Sequence, residues 1–128
     1  MALCQWNMRG FKANREQVRV LFKEKNLAAI CLQETKLGNL TPNFGHNFLV
    51  YKSIPPVGER AHGGTSIILT KTITQRALQI NTVLQACAIQ IFINKWITLC
   101  SLYLEPDLES RLVDSAGNPR QLEVGDLQ

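Results

Sequence analysis

Asn7 and Glu34 are the residues of this chain whose types and setting suit chemistry on a phosphate or a metal ion. Each stands where an apolar, strand-like run stops: Asn7 in Gln5-Trp6-Asn7-Met8-Arg9-Gly10, and Glu34 in Ile30-Cys31-Leu32-Gln33-Glu34-Thr35-Lys36. A carboxylate is a hard oxygen ligand of the kind Mg²⁺ takes, and a carboxamide offers an acceptor and two donors. Between the two runs lies one helix-length segment. A strand–helix–strand unit delivers both residues to neighbouring strand ends, where the ligands of α/β sheets collect. Arg9, Thr35 and Lys36 flank the pair and are read as residues lining a groove for a polyanion.

The elements that must position these residues follow from apolar spacing. Residues 2–6 read as a short buried strand. Asn14 is expected to cap a helix over 14–26, in which Val18, Leu21 and Phe22 make one apolar stripe. Residues 28–33 form the second strand, and 37–46, rich in Asn, Gly and Pro, a loop. A strand over 48–51 runs into a Pro55-Pro56-Val57-Gly58 turn. Gly63-Gly64 then leads into 65–69, the pair reading as a turn before a strand in preference to a phosphate cradle. Segments 73–80, 84–93 and 96–104 are β-rich, and the break at Asn94-Lys95 is short enough for a hairpin. One βαβ unit followed by antiparallel-looking strands implies an α/β (α+β) layer fold with a mixed sheet and a flanking helix. From Glu105 onward the pattern dissolves, with Leu108, Leu112 and Val113 the one trace of a further helix face.

Bulk properties narrow the class. At 128 residues, 45% of them hydrophobic and 19% charged, the chain is one ordered domain or part of a larger one. The net charge of +4 permits a polyanionic partner without requiring one. Arg9, Lys12, Arg15, Arg19, Lys23 and Lys25 are a mild basic concentration that reads first as a solvated helix face. Cys4, Cys31, Cys87 and Cys100 have no metal-ligand spacing and sit in apolar runs, as buried free thiols of a reducing compartment do. No signal-peptide pattern and no membrane-length apolar run is present, so an intracellular location and no membrane partner are expected. His46 and His62 sit in Gly-rich loops and are read as surface residues.

LCQWNMRG, AAICLQETKLG, HGGTSIILT and ITLCSLYLEP, in this order and spacing, resemble the N-terminal half of an endonuclease/exonuclease/phosphatase domain. More narrowly, they resemble the apurinic-endonuclease-like domain of jockey-type non-LTR retrotransposons, over residues 2–106. The resemblance implies a two-sheet sandwich flanked by helices that cuts a DNA phosphodiester with Mg²⁺, Mn²⁺ being the alternative ion. It implies Glu34 as metal ligand, Asn7 in the metal network and on the phosphate, and Tyr103 near the scissile phosphate. DNA would then run past Arg9, Thr35 and Lys36, and a location in the nucleus would follow if that DNA is chromosomal.

The chain also departs from the family pattern. The Gly-Asp-Phe-Asn segment of the family is matched only by Gly125-Asp126-Leu127-Gln128, which would make Asp126 a catalytic residue and 107–128 a divergent tail after a first unit of 1–106. No His follows His62, so the family's later Asp–His pair is absent. These departures imply a truncated, inactive endonuclease, or else a non-catalytic interaction module derived from one. With a second sheet lacking most of its strands, the apolar strands at 64–70, 84–93 and 96–104 are expected to lack cover. Self-association or a larger protein partner would supply it.

Overall fold

In the computed structural model, residues 1–53, 63–80, 82 and 84–104 are described. The strand–helix–strand unit forms as the apolar spacing requires: β1 (Ala2–Asn7), α1 (Phe11–Lys25) and β2 (Leu27–Gln33). β1 and β2 are parallel, with Asn7 beside Gln33. The helix begins earlier than expected, because Asn14 is not its cap. Gly10 takes the N-cap position at φ 117°. Asn14 instead donates from Nδ2 to the carbonyls of Met8 (2.8 Å) and Gly10 (3.0 Å), tying the first turn to the end of β1. At the other end Asn26 turns left-handed (φ 50°) and its N–H reaches the Phe22 carbonyl, the usual closure of a helix.

Five more strands follow: β3 (Phe48–Lys52), β4 (Thr65–Thr70), β5 (Gln75–Leu78), β6 (Gln85–Ile93) and β7 (Lys95–Tyr103). They complete two sheets. The first is mixed, in the order β1-β2-β4-β3, and the second antiparallel, in the order β5-β6-β7. The expected hairpin joins β6 to β7, with Asn94 left-handed (φ 62°) at its tip.

Period-two alternation splits the core into two layers. Trp6, Ile30, Leu32, Val50 and Ile68 face α1, where Phe11, Val18, Phe22 and Phe44 close over them. The opposite face of the first sheet presents Ala29, Cys31, Ile67 and Leu69 to Ile89, Ile91, Ile97 and Leu99 of the second. This corrects one expectation. β4 does not lack cover, since α1 and its loops seal Ile68 while β6 and β7 seal Ile67 and Leu69, all three being fully buried. On the outer face of the second sheet Phe92 and Trp96 meet edge to face and are 46% and 41% exposed, while Ala88 and Gln90 on the same face are buried. The cysteines are free as expected, but Cys31 and Cys87 on interior strands are half-buried, as is Cys4 on the edge strand β1, and Cys100 on the edge strand β7 is exposed. Among the described residues no helix is long and apolar enough to cross a membrane.

Candidate active site

The carboxyl end of β2 is locked between two other segments by backbone hydrogen bonds. On one side the N–H groups of Met8, Gly10 and Phe11 donate to the carbonyls of Gln33 (3.0 Å), Glu34 (2.7 Å) and Thr35 (2.9 Å). On the other, Thr35 and Lys36 donate to the carbonyls of Gly64 (3.3 Å) and Gly63 (2.8 Å). This clamp holds three non-glycine residues, Arg9, Glu34 and Lys36, at positive φ (54°, 54° and 55°). The left-handed region costs an L-residue about 1–2 kcal/mol. Such conformations persist only where the surroundings over-determine them, and they cluster at functional sites.

Asn7, Glu34 and Tyr103 line one open cavity of about 630 Å³, together with Gln5, Cys31 and Gln33. The sequence-predicted trio is therefore brought together, by β1, β2 and β7. Asn7 is exposed and Glu34 half-buried. Among the described residues, no basic side chain pairs with the Glu34 carboxylate, the one ion pair being Arg19–Glu16 on α1. The flanking residues divide. Arg9 and Lys36 are exposed, but Thr35 is only 2% exposed and its hydroxyl lies where a Cβ on Gly64 would come within 2.8 Å. Thr35 is thus a packing residue, its side chain turned inward by the left-handed turns on either side of it, and it cannot line a groove. His46 is exposed, as expected. Asp126 and His62 lie outside the described residues.

Three hydrogen bonds escaped the sequence reading. Gln33 donates from Nε2 to Ser101 Oγ (3.0 Å), and Ser101 Oγ donates to the Leu32 carbonyl (2.7 Å), pinning β7 over β2. The signal was present: alternation puts polar Gln33 on the face of Cys31, in an otherwise apolar inter-sheet layer. Buried Gln85, opposite Tyr103 in the ladder, accepts the Gly64 N–H (2.5 Å). Around the cavity floor, burial pushes the Cys31 thiol up to about 11, with Cys100 and Cys4 adding to the rise. Burial raises Cys100 as well. The Cys31 thiol therefore stays protonated at neutral pH.

Gly63 explains how Tyr103 is placed. At φ 64° it approaches the aromatic ring so closely that an added Cβ would run into it. Gly63→Ala is therefore expected to cost about 1–3 kcal/mol and to move the ring. Gly45→Ala is the comparison, since at φ 120° its Cβ would meet nothing nearer than 3.7 Å. Urea unfolding together with the Tyr103 ring resonances checks this. Equal losses in the two variants, with Tyr103 unmoved, would show that the close approach does not matter.

Solved structures share this architecture. The endonuclease domain of TRAS1, a telomere-specific non-LTR retrotransposon, matches with a TM-score of 0.63 and 19% identity over 84% of this chain and 48% of that one. The AP endonuclease LMAP from Leishmania major gives 0.63 and 18% over 84% and 43%. The 3′ phosphatase NExo from Neisseria, bound to a product DNA hairpin, gives 0.58 and 15% over 84% and 45%. This chain has a partial two-sheet sandwich of the endonuclease/exonuclease/phosphatase type, the part of the fold it shares with these structures. A retrotransposon endonuclease is among the proteins it is similar to, as its sequence segments anticipate, and it spans about half the length of these solved structures. No protein-family model matches the chain, and neither does any curated protein sequence.

Proposed function

We propose that this chain supplies the first half of a Mg²⁺-dependent DNA endonuclease site of the non-LTR retrotransposon kind. The observation that carries the reading is the shared cavity of Asn7, Glu34 and Tyr103 at the clamped strand ends. The donor set suits the ion. Mg²⁺ takes oxygen ligands, often only one or two carboxylates, and keeps several waters. Among the described residues no three His, Cys, Asp or Glu side chains gather, so Glu34 is the carboxylate of the cavity and Asn7 adds a carboxamide oxygen. A bound Mg²⁺ would polarise a phosphoryl oxygen and stabilise the leaving oxyanion.

The chain's own residues have narrower tasks. Glu34 and Asn7 hold the ion and orient the phosphate, and the Tyr103 hydroxyl donates a hydrogen bond to a phosphate oxygen. Exposed Arg9 and Lys36 meet the DNA backbone through charge alone, so they add affinity and no sequence preference. The site takes its substrate inside the nucleus if that substrate is chromosomal DNA. The edges of the first sheet belong to the same reading, as surfaces that a second copy or a larger protein covers.

Paramagnetic Mn²⁺ tests the metal site without requiring activity. Titration is expected to broaden the amide resonances around Asn7 and Glu34, to be reversed by EDTA and to be competed by Mg²⁺. Glu34→Ala should weaken the binding at least about tenfold. Undiminished broadening in that variant would remove Glu34 from the site.

A further inference from the structure

Between Glu59 and Glu105 the sequence contains no acidic residue. The second sheet lies wholly within that stretch. Its charged side chains are Arg76 on β5 and Lys95 on β7, with Lys71 in the turn that leads into β5. All three are exposed. At the hairpin end of the same sheet, the register sets Phe92 of β6 opposite Trp96 of β7. Their neighbours Ile91 and Ile97 fill the core between the sheets, so alternation turns the two rings to the outer face. Trp96 stands near the start of β7 and Tyr103 at its end, about 23 Å apart along an extended strand, so this corner is separate from the cavity.

A run of side-chain hydrogen bonds crosses all three strands beside the rings. Arg76 Nε donates to Gln90 Oε1 (2.6 Å), and Gln90 Nε2 donates to Thr98 Oγ1 (3.2 Å). The first bond fixes the guanidinium, whose central carbon stands 4.1 Å from the centre of the Trp96 ring. Phe92 meets Trp96 with ring centres 5.5 Å apart and planes at 65°. Pairing across a hairpin accounts for the two rings standing opposite each other. It does not account for their being left in water among Lys71, Arg76 and Lys95, none of which has a carboxylate partner among the described residues.

We infer that this corner of the second sheet is a docking platform for single-stranded DNA. Unpaired bases stack on aromatic rings and on guanidinium planes, and the platform offers Phe92, Trp96 and the fixed Arg76. The phosphates between those bases meet Lys71, Lys95 and Arg76 in a neighbourhood that carries no acidic residue of its own sheet. Other occupants match only half of this surface. An acidic peptide meets the cations but brings no row of flat rings. A duplex keeps its bases stacked inside. An apolar protein surface would strip water from the cations without pairing them. DNA is named over RNA because the cavity is proposed to act on DNA, and in that one respect the inference rests on the reading above.

Fluorescence anisotropy of a labelled oligo-dT with the full chain tests it. EDTA is present throughout, so the metal site plays no part, and the cavity reading stands or falls separately by the Mn²⁺ titration. Oligo-dT is expected to bind more tightly than a duplex of the same length. Its affinity should fall with salt at a log–log slope of about −2, from three cations at about −0.7 each. Trp96→Leu and Phe92→Leu keep an apolar strand residue, and each should weaken binding about tenfold with an unchanged far-UV spectrum. Arg76→Gln should reduce the slope by about 0.7. Lys23→Gln, an equal loss of charge on exposed α1, should leave affinity and slope as they were. Absent binding overturns the inference, and so does equal binding of the duplex or of heparin, a polyanion without bases. Undiminished affinity in both ring variants also overturns it. Oligo-rU bound more tightly than oligo-dT overturns the assignment to DNA.

Discussion

Supercoiled plasmid incubated with this chain and Mg²⁺ is expected to stay supercoiled. The cavity gathers Asn7, Glu34 and Tyr103, but catalytic groups of this kind act as a unit, and losing one member of such a constellation costs roughly 10⁴–10⁶ in rate. No histidine follows His62, and the position of Asp126 in the sequence is matched by a common dipeptide alone. The expected readout is nicking indistinguishable from a protein-free control, by the parent chain and by Glu34→Ala alike. Robust nicking that disappears with EDTA and with Glu34→Ala would show that these residues suffice, and the proposal of an incomplete site would fall. Binding and cleavage separate here: Mn²⁺ should still find Glu34 in a chain that cuts nothing.

The second large effect is on stability at alkaline pH. Burial pushes Cys87 up to about 12 and Cys31 up to about 11, from 9.0 in each case. Cys31 and Cys100 add to the rise at Cys87, against a lowering contribution from the Thr65 hydroxyl hydrogen bond. For a thiol the raised value means that the folded state prefers the neutral form. Stability from both groups is therefore fully present below about pH 9, where the unfolded thiols begin to ionise, and is lost as pH climbs through 11 and 12. Each pH unit between the two ionisations is worth about 1.4 kcal/mol, so the combined loss is of the order of several kcal/mol, a large part of a typical domain's margin. Buried-side Tyr51 is raised too and acts in the same direction at higher pH. Urea midpoints are expected to fall steeply between pH 9 and 11, and less steeply in Cys31→Ala and Cys87→Ala. Parallel pH profiles for the parent and both variants would show that the thiols do not govern the loss.

The βαβ unit and the meeting of Asn7 with Glu34 were legible in the sequence because both follow from local rules. Apolar periodicity distinguishes strand from helix, and a crossover helix between two strands dictates parallel neighbours, which places the two strand ends side by side. The hairpin at Asn94 was legible for the same reason, a two-residue break between alternating runs. Tertiary structure alone decided the rest. Thr35 reads as a polar residue beside a site, yet the left-handed turns at Glu34 and Lys36 drive it inward against Gly64, and no local pattern announces a non-glycine residue at positive φ. Asn14 has the chemistry of a cap, but the Met8 and Gly10 carbonyls lie within reach of its amide and take it instead. The two-sided apolar character of β4 showed that it needed cover on both faces. That the chain's own β6 and β7 provide it, and that β1 is left projecting past them, depends on how two sheets register face to face, through contacts such as Ser101 on Leu32 between residues 69 positions apart.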